Sequence, residues 1–435
     1  MVDKIQAIRG MNDILPHQTP AWRRLEKLFA HCLLQYGYQE IRFPLLENTQ
    51  LFKRTIGEVT DIVEKEMYTF NDLNGESITL RPEGTAGCLR ACLEHGLLYN
   101  QQQKLWYTGP MFRHEKPQKG RYRQFYQLGV EALGTSGAAI EVELIAICQR
   151  LWTILGIDKA VHLQINTLGE LEERQTYRQE LITYFKMHFE QLDEDSKRRL
   201  DRNPMRILDS KNPDMQHLIS NAPQLIDSLG SDSRKRFETL CEGLTKLGIS
   251  YSFNPFLVRG LDYYGHTVFE WVTDKLGSQA TVCAGGRYDA LVEHLGGTPT
   301  PAVGFAMGAE RLLLLLETLA ISPETDKIPS FFIVATNEEA MQTALLLAEK
   351  LRADNHDWQI ITNTAGGSFK SQFKKADKSG ADFALILGEE ETAHEKISIK
   401  NLRNRDEQIT ILQKDLPDYL RSHLKSIDSS PVNLD

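Results

Sequence analysis

GPMFRHEKPQKGRYRQFYQLGVEALG occupies residues 109–134 and indicates the fold of the chain. Two extended segments, 105–113 and 124–133, flank a polar loop at 115–123, and this pattern predicts a β-hairpin with an oversized loop. The loop is basic and contains Lys116, Lys119, Arg121 and Arg123, with Arg113 at its root. Because guanidinium groups match phosphate oxygens in pairs, such a loop on a rigid hairpin suits a polyphosphate ligand. An ordinary surface hairpin with solvated charges is the alternative.

The second segment of this hairpin carries two polar side chains on one face. Gln127 and Glu131 are four residues apart, and even spacing in a strand places side chains on the same face. The residues around them, Phe125, Leu128 and Val130, are apolar. Polar groups in an otherwise apolar strand indicate the floor of a pocket.

The same stretch is similar to a motif of a known enzyme family. FRHE at 112–115, the basic loop and RQFYQLGVE at 123–131 resemble motif 2 of class II aminoacyl-tRNA synthetases, specifically the histidyl-tRNA synthetases. The resemblance implies an α+β class II synthetase catalytic core, an antiparallel sheet flanked by helices, with a helical insertion and a C-terminal α/β anticodon-binding domain. It also implies ATP, L-histidine and tRNA(His) as ligands and a homodimer as the assembly.

Length and composition are compatible with such an enzyme. The 435 residues are enough for two or three domains with a sizeable core. The net charge of −9 argues against indiscriminate nucleic-acid binding, so an RNA site must be a local basic patch. No apolar run approaches the length of a membrane span, and residues 1–10 lack an apolar signal core. We therefore expect a cytoplasmic protein without a membrane partner.

The six cysteines are scattered and include no C-x-x-C pair, so the sequence indicates neither a disulfide framework nor a standard zinc site. Cys88, Cys92 and His95 could share one helical face. A buried helix face explains them better than a metal site.

Two segments before the hairpin predict an early helix and an edge strand. Thr19 and Pro20 are typical of a helix start, with a capping hydroxyl followed by a first-turn proline. EIRFPLLE at 40–47 follows in an extended pattern, and Pro44 bars it from a central position in a sheet. This order is similar to class II motif 1, which builds the homodimer interface in that family.

RPEGTAG at 81–87 follows a predicted strand at 77–81 and opens a second helix. By resemblance, its Glu83, Gly84 and Thr85 would bind the α-amino end of histidine. Capping of the helix start is the alternative role for Glu83 and Thr85.

FLVRGLDYYGHTVFEWV at 256–272 predicts a strand-rich run with one arginine in an apolar setting. RGLDYY resembles a segment peculiar to histidyl-tRNA synthetases, in which the arginine, here Arg259, reaches the substrate α-phosphate and the tyrosines line the imidazole pocket. An unpaired charge among apolar residues would be costly, and a phosphate would be the partner that makes it tolerable. A core strand with one charge at its end is the alternative.

Two later segments complete the implied catalytic core. AGGRYDALVEHLGG at 284–297 resembles the second family-specific segment and brings Gly285, Gly286 and Tyr288 close to the substrate. PAVGFAMGAERLLLLL at 301–316 predicts a strand that runs into an apolar helix and resembles motif 3. Ala309 stands where leucine is commoner in the family.

The resemblance assigns roles to individual residues. The catalytic set would be Arg113, Gln127 and Arg259. The ATP site would comprise Arg113 at the α-phosphate, Arg121 and Arg311 at the γ-phosphate, Glu115 at the adenine amino group and Phe125 at the adenine face. The histidine site would comprise Glu83, Gly84, Thr85, Gln127, Glu131, Arg259, Tyr263, Tyr264 and Tyr288. Contacts with tRNA would include Lys116, Gln118, Lys119, Lys370 and Lys374. A Mg²⁺ ion bridging the distal phosphates is expected, and the sequence identifies no ligands for it.

The domain boundaries follow from changes of pattern. Residues 1–325 are predicted to form the catalytic domain, with a charged helical insertion at about 170–250 to which we assign a lid or RNA-contact role. Residues 326–328 form a linker, and 329–425 alternate strands with helices, which predicts a parallel or mixed sheet. A lysine row on the second helix of that domain is either a solvated face or a tRNA contact. Residues 426–435 are predicted to be a frayed tail.

Two other functions are compatible with parts of the pattern. A regulatory paralogue would bind histidine without catalysis, but such paralogues lack the C-terminal domain and lose the catalytic arginines, which this chain keeps as Arg113, Arg259 and Arg311. Another class II synthetase, such as a prolyl or threonyl enzyme, is disfavoured by the RGLDYY and GGRYD segments.

Overall fold

The computed structural model describes residues 4–57, 60, 62–210, 212–259, 261, 263–277, 281–321, 328–404 and 407–425. The chain divides into two compact units, Met1–Pro323 and Glu324–Asp435. Of the predicted linker, residues 326 and 327 lie outside the described residues, as does the predicted tail at 426–435.

The first unit contains eleven strands and ten α-helices among its described residues. The strands are β1 Gln39–Glu40, β2 Leu46–Asn48, β3 Tyr68–Asn71, β4 Ser77–Leu80, β5 Gln103–Phe112, β6 Gln124–Leu133, β7 His162–Thr167, β8 Tyr251–Phe253, β9 Gly265–Val272, β10 Thr281–Arg287 and β11 Ala302–Gly308. The helices are α1 Thr19–Gln35, α2 Thr49–Ile56, α3 Thr85–Glu94, α4 Ala139–Leu155, α5 Leu171–Met187, α6 Glu194–Arg199, α7 Gln216–Ser220, α8 Ser231–Lys246, α9 Leu291–His294 and α10 Ala309–Thr318. Single helical turns lie at Ile62–Glu66, Phe189–Gln191, Pro204–Ile207, Pro213–Met215 and Leu225–Ser228.

An eight-stranded sheet organises this unit, in the order β1-β5-β6-β11-β10-β9-β7-β8. In this sheet order, the neighbouring strands β5, β6, β11, β10, β9 and β7 pair antiparallel. Among the described residues, the short edge strands β1 and β8 are the ones that pair parallel to their neighbours. A separate three-stranded antiparallel sheet has the order β2-β4-β3.

The predicted hairpin is confirmed. β5 and β6 pair in one register from Gln103 opposite Leu133 to Phe112 opposite Gln124. Along β6, Leu128, Val130 and Ala132 belong to a buried cluster that also contains side chains of α1, α4, α8 and α10. The alternation of a strand therefore turns Gln127 and Glu131 to the opposite face of the sheet.

Two glycines make room on that opposite face. A Cβ atom at Gly304 of β11 would overlap the Glu131 carboxylate, and one at Gly129 would overlap the ring of Tyr107. The floor of the predicted pocket therefore requires glycine at these positions, because larger residues would displace the buried polar groups.

The helix start at Thr19 is confirmed, but its capping detail was wrong. The Thr19 hydroxyl donates to the Pro16 carbonyl, 3.0 Å away, and Gln18 makes no side-chain cap. The proline in the first turn is sufficient to begin the helix, since its fixed φ suits that position.

The segment 256–272 corrects a second expectation, because among its described residues a strand spans Gly265–Val272 alone. The described residues before it form no helix or strand. Their backbone is held by hydrogen bonds from side chains instead of by a neighbouring strand. The Asn166 amide donates to the carbonyls of Pro255 and Leu257, at 3.1 and 3.0 Å. An apolar composition alone does not distinguish such a tethered segment from a strand.

The predicted insertion consists of α5 to α8 and the turns between them, all between β7 and β8. Its core side chains Tyr177, Leu181 and Phe185 belong to the same buried cluster as Tyr263 and Tyr264. The insertion from α5 to α7 therefore packs over the face of the sheet that carries the predicted site, whereas α8 packs in the buried cluster on the opposite face.

The second unit contains strands β12 Ser330–Ala335, β13 Gln359–Thr362, β14 Phe383–Leu387, β15 Lys396–Asn401 and β16 Ile409–Leu412. Its helices are α11 Glu338–Asp354, α12 Phe369–Ser379, α13 Glu389–Ala393 and α14 Leu416–Lys425, with a single turn at Gln413–Asp415. The sheet order is β13-β12-β14-β15-β16; the first three strands are parallel and the last two antiparallel. The mixed sheet predicted from the alternation is confirmed. Across both units, the described helices include none with the length and apolar character needed to cross a membrane.

Candidate active site

A cavity of about 390 Å³ opens on the first unit and gathers most of the predicted site residues. Its lining includes Glu83, Thr85, Arg113, Glu115, Arg121, Phe125, Gln127, Arg259, Tyr263, Tyr264, Tyr288 and Arg311. These residues come from the β5–β6 hairpin, the start of α3, the segment before β9, and β10 with α10. Segments that are distant in sequence therefore converge on one site.

Some predicted residues lie apart from the cavity lining. Gly84 packs against the ring of Tyr107 at the start of α3. Lys116, Gln118 and Lys119 are exposed on the hairpin loop. Lys370 and Lys374 are exposed on α12 of the second unit.

The guanidinium groups of Arg113, Arg121 and Arg311 form a cationic end of the cavity. Arg311 donates to the carbonyls of Gly120 and Thr281, at 3.2 and 2.7 Å. Burial, and then the neighbouring charges of Arg121 and Arg113, lower the pKa of Arg311. Because like charges repel in a partly desolvated site, a bound anion would relieve this arrangement.

Glu115 partly neutralises this end. Its carboxylate is ion-paired with Arg121 and lies 4.0 Å from Arg113. Arg113 also donates to the Pro82 carbonyl at 2.8 Å, and its guanidinium lies 5.3 Å from the centre of the Phe125 ring. The root of the loop is therefore preorganised by contacts with three different parts of the chain.

Arg259 has a carboxylate partner, which corrects the expectation of an unpaired charge. Its Nη1 is ion-paired with Glu270 of β9, and both side chains are largely buried. The Glu270 carboxylate also accepts from the Thr281 hydroxyl at 3.0 Å. The Arg259 Nε atom is buried and has no hydrogen-bond partner among the described residues. The sequence did not indicate this pair, because Arg259 reaches Glu270 only when the irregular segment before β9 folds back beside that strand.

The opposite end of the cavity is acidic and hydroxyl-rich. Glu131 is 1% exposed and lies beneath the lining, where it accepts from Thr85 at 2.8 Å, from Tyr107 at 3.0 Å and from Tyr288. Burial raises its pKa to about 8; the three hydroxyl bonds oppose that rise and the charge of Glu83 adds to it. Glu131 therefore favours its protonated form near neutral pH.

Glu83 combines both of the roles weighed for it. Its carboxylate accepts from the backbone N–H groups of Thr85 and Ala86, at 2.7 and 2.9 Å, which caps α3. It also lines the cavity. Nearby, the buried Oε1 of Gln127 has no hydrogen-bond partner among the described residues, so it is an acceptor available to a ligand N–H.

The raised pKa of Glu131 predicts how the stability of the protein depends on pH. Its unfolded-state pKa is about 4.3, whereas burial raises the folded-state pKa to about 8. Between these values the folded protein keeps a proton that the unfolded chain has lost, so the stabilising contribution is complete below the lower value and disappears as the pH rises through the higher one. We expect the urea concentration at the midpoint of unfolding to decrease as the pH is raised from about 5 to about 8.5. This decrease should be smaller in Glu131→Gln.

The control for this measurement is Glu293→Gln, because Glu293 is exposed. Circular dichroism at each pH gives the midpoint of unfolding for each protein. The same pH dependence in the wild type and in Glu131→Gln would contradict the assignment of the shifted pKa to Glu131.

Several lining residues were not anticipated. Glu270 pairs with Arg259 and accepts from Thr281, Asp209 comes from the insertion, and the Glu310 carboxylate accepts from the Tyr126 backbone N–H at 2.9 Å. Glu310 immediately precedes Arg311, and Glu270 interrupts an apolar strand; both are signals that could have identified them. Asp209 carries no such signal.

Comparisons with known proteins match the chain to one family. Residues 10–312 match the family model described as histidyl-tRNA synthetase, and 330–423 match the anticodon binding domain model. A histidine–tRNA ligase of Legionella pneumophila (strain Paris) is 69% identical over 424 residues, which are 98% of this chain and 100% of the relative. A second relative with the same name, from the Philadelphia 1 strain, is 68% identical over the same length.

Solved structures agree on the fold. The crystal structure of the apo S. aureus histidyl-tRNA synthetase has a TM-score of 0.81 and 36% identity, and the match covers 96% of this chain and 99% of that one. An ATP phosphoribosyltransferase regulatory subunit/histidyl-tRNA synthetase of Bacillus halodurans C has a TM-score of 0.64 at 23% identity, covers 89% and 99%, and shares the fold. The predicted fold class is thereby confirmed. The chain belongs to the histidyl-tRNA synthetase family.

Proposed function

We propose that this chain joins L-histidine to tRNA(His) in two steps within the described cavity. In the first, a carboxylate oxygen of histidine attacks the α-phosphorus of ATP, giving histidyl-adenylate and pyrophosphate. In the second, a hydroxyl of the 3′-terminal ribose of tRNA attacks the acyl carbon, and AMP leaves. The observation that carries the proposal is the pairing of a cationic end with an acidic, hydroxyl-rich end in one cavity.

The cationic end would bind ATP. Phosphoryl transfer needs positioning and charge neutralisation more than covalent assistance. Arg113 and Arg259 would flank the α-phosphate, where negative charge is redistributed in the transition state. The γ-phosphate would lie between Arg121 and Arg311, whose mutual repulsion it relieves. Glu115 would accept from the adenine amino group and Phe125 would contact the adenine face.

The acidic end would bind histidine. Gln127 and Glu83 offer oxygen acceptors to the α-ammonium group, and Gly84 and Thr85 shape the turn beside it. The imidazole would lie between Glu131 and Tyr264, against Tyr263 and Tyr288, so that each ring nitrogen meets a polar partner. A pocket built to hydrogen-bond its ligand rejects analogues without those groups by ~10⁴ or more.

A Mg²⁺ ion would assist at the distal phosphates. Such ions are usually held by one or two carboxylates together with phosphate oxygens, and Glu270 and Glu310 are cavity carboxylates of this kind. Within the described ranges, no cluster of three or more His, Cys, Asp or Glu side chains could hold a metal by itself. When bound, it would neutralise charge on the departing pyrophosphate.

The remaining partners are proposed from the family. The second unit would bind the anticodon end of tRNA(His) through Lys370 and Lys374, while Lys116, Gln118 and Lys119 of the hairpin loop would contact its acceptor end. The apolar residues Leu34, Leu45 and Leu46 are exposed and lie close in sequence to the short edge strand β1, which supports a homodimer through this part of the chain. We place the reaction in the cytoplasm, where tRNA and ATP are available together.

Amino-acid-dependent exchange of pyrophosphate into ATP tests the function. The wild-type protein should exchange with histidine and with none of the other nineteen amino acids, and it should then acylate tRNA(His). Exchange with a different amino acid would overturn the proposal. Histidine binding without exchange would favour the regulatory paralogue instead.

A further inference from the structure

The segment that carries Arg259 and Tyr264 is held at two points by arginines of the helical insertion. Nη1 of Arg206, in the turn Pro204–Ile207, donates to the backbone carbonyl of Arg259 at 3.1 Å. Nη1 of Arg174, in α5, donates to the backbone carbonyl of Tyr264 at 2.5 Å. Both acceptors belong to the irregular stretch before β9, whose described residues pair with no neighbouring strand.

These bonds lie at a packed boundary. The Arg206 side chain is 19% exposed and lies 3.6 Å from Asp209, which lines the cavity. α5 continues from Arg174 into Tyr177 and Leu181, which share a buried cluster with Tyr264. The two arginines therefore couple the position of the insertion to the backbone of the segment that carries Arg259 and Tyr264, which we call the catalytic segment.

We propose that Arg206 and Arg174 are positioning residues for adenylate formation, so that the insertion is a support of the catalytic segment and not only its cover. This inference depends on the proposed function. Arg206 acts through the carbonyl of Arg259 and sets the side chain that meets the α-phosphate. Arg174 acts through the carbonyl of Tyr264 and sets the ring that meets the imidazole. The two bonds should consequently affect different kinetic parameters.

The test replaces each arginine with methionine, which keeps the apolar stem but removes the donors. Misplacing a reacting group by about 1 Å can cost ~10²-fold, so losing one tether should lower kcat of histidine-dependent exchange about tenfold in Arg206→Met, with little change in KM for ATP. Arg174→Met should instead raise KM for histidine several-fold. Arg206→Lys, which can still donate to the carbonyl, should recover most of the lost kcat.

Arg234→Met is the matched control. Arg234 also donates to a carbonyl, that of Ile226 at 3.0 Å, but both residues lie within the insertion. Its kinetics should equal those of the wild type. Rates are referred to active sites counted by a burst of adenylate formation, so a loss of folded protein does not lower kcat.

A double mutant separates positioning from a general effect. Added to Arg259→Ala, Arg206→Met should cost less than twofold, because the side chain that it positions is gone. The inference would be overturned if the fold-changes in kcat of the two single mutants multiplied in the double mutant. It would also be overturned if kcat fell no further in Arg206→Met than in Arg234→Met, or if Arg206→Lys recovered none of the lost kcat. A wild type without histidine-dependent exchange would instead refute the proposed function.

Discussion

Replacing Arg259 with alanine is expected to lower kcat for adenylate formation by roughly 10²–10³, while KM for ATP changes much less. The guanidinium is largely buried, ion-paired with Glu270 and 5.5 Å from the centre of the Tyr264 ring. The charge and geometry at the α-phosphorus change most in the transition state, so a fixed donor there stabilises the transition state more than bound ATP. Transfer from preformed adenylate to tRNA should suffer less, because the phosphate is by then part of the leaving group.

Single-turnover measurements of adenylate formation and of acyl transfer provide this comparison. Arg90→Ala is a suitable control, because Arg90 is also paired with carboxylates, those of Glu47 and Glu94, but does not line the cavity. A loss expressed only in KM would assign Arg259 to uniform binding of ATP and would contradict its catalytic role.

Removing the second unit is expected to separate the two reaction steps. A chain ending at Pro323 keeps the whole cavity lining, which belongs to the first compact unit. Histidine-dependent exchange should therefore remain measurable. Charging of tRNA(His) should fall about a hundredfold at subsaturating tRNA, as expected if the lost contacts contribute ~3 kcal/mol to binding. Equal charging by the truncated and full-length proteins would show that the second unit does not bind tRNA.

A surface variant of the full chain tests the same point without truncation. Lys370→Gln combined with Lys374→Gln should weaken tRNA binding and reduce the slope of log K against log salt by about one for each lost phosphate contact. Lys350→Gln combined with Lys414→Gln alters two other exposed lysines of this unit and should leave the slope unchanged. The same slope in both variants would identify the α12 lysines as a solvated face.

Local sequence patterns were sufficient for most of the elements. The β5–β6 hairpin, the start of α1 and the strand-to-helix order of β11 and α10 were all predicted, because periodicity and turn residues act over a few neighbouring positions. The motifs also indicated which residues should meet, and the cavity lining includes most of them. The error at 256–264 has the same origin. An apolar run is compatible with a strand, and only the distant Asn166 amide reveals that this segment is tethered instead.

By itself, then, the sequence determined the family and the order of elements, and most of the site residues that it indicated line the cavity. The tertiary structure alone decided how those members are paired. Glu270 is the partner of Arg259, three hydroxyls surround Glu131, and Arg174 and Arg206 of the insertion donate to backbone carbonyls of the segment before β9. These contacts join residues from separate elements, and burial fixes their charges and hydrogen bonds. No local pattern encodes them, because the polar group and its partner become neighbours only when the sheet and the insertion pack together.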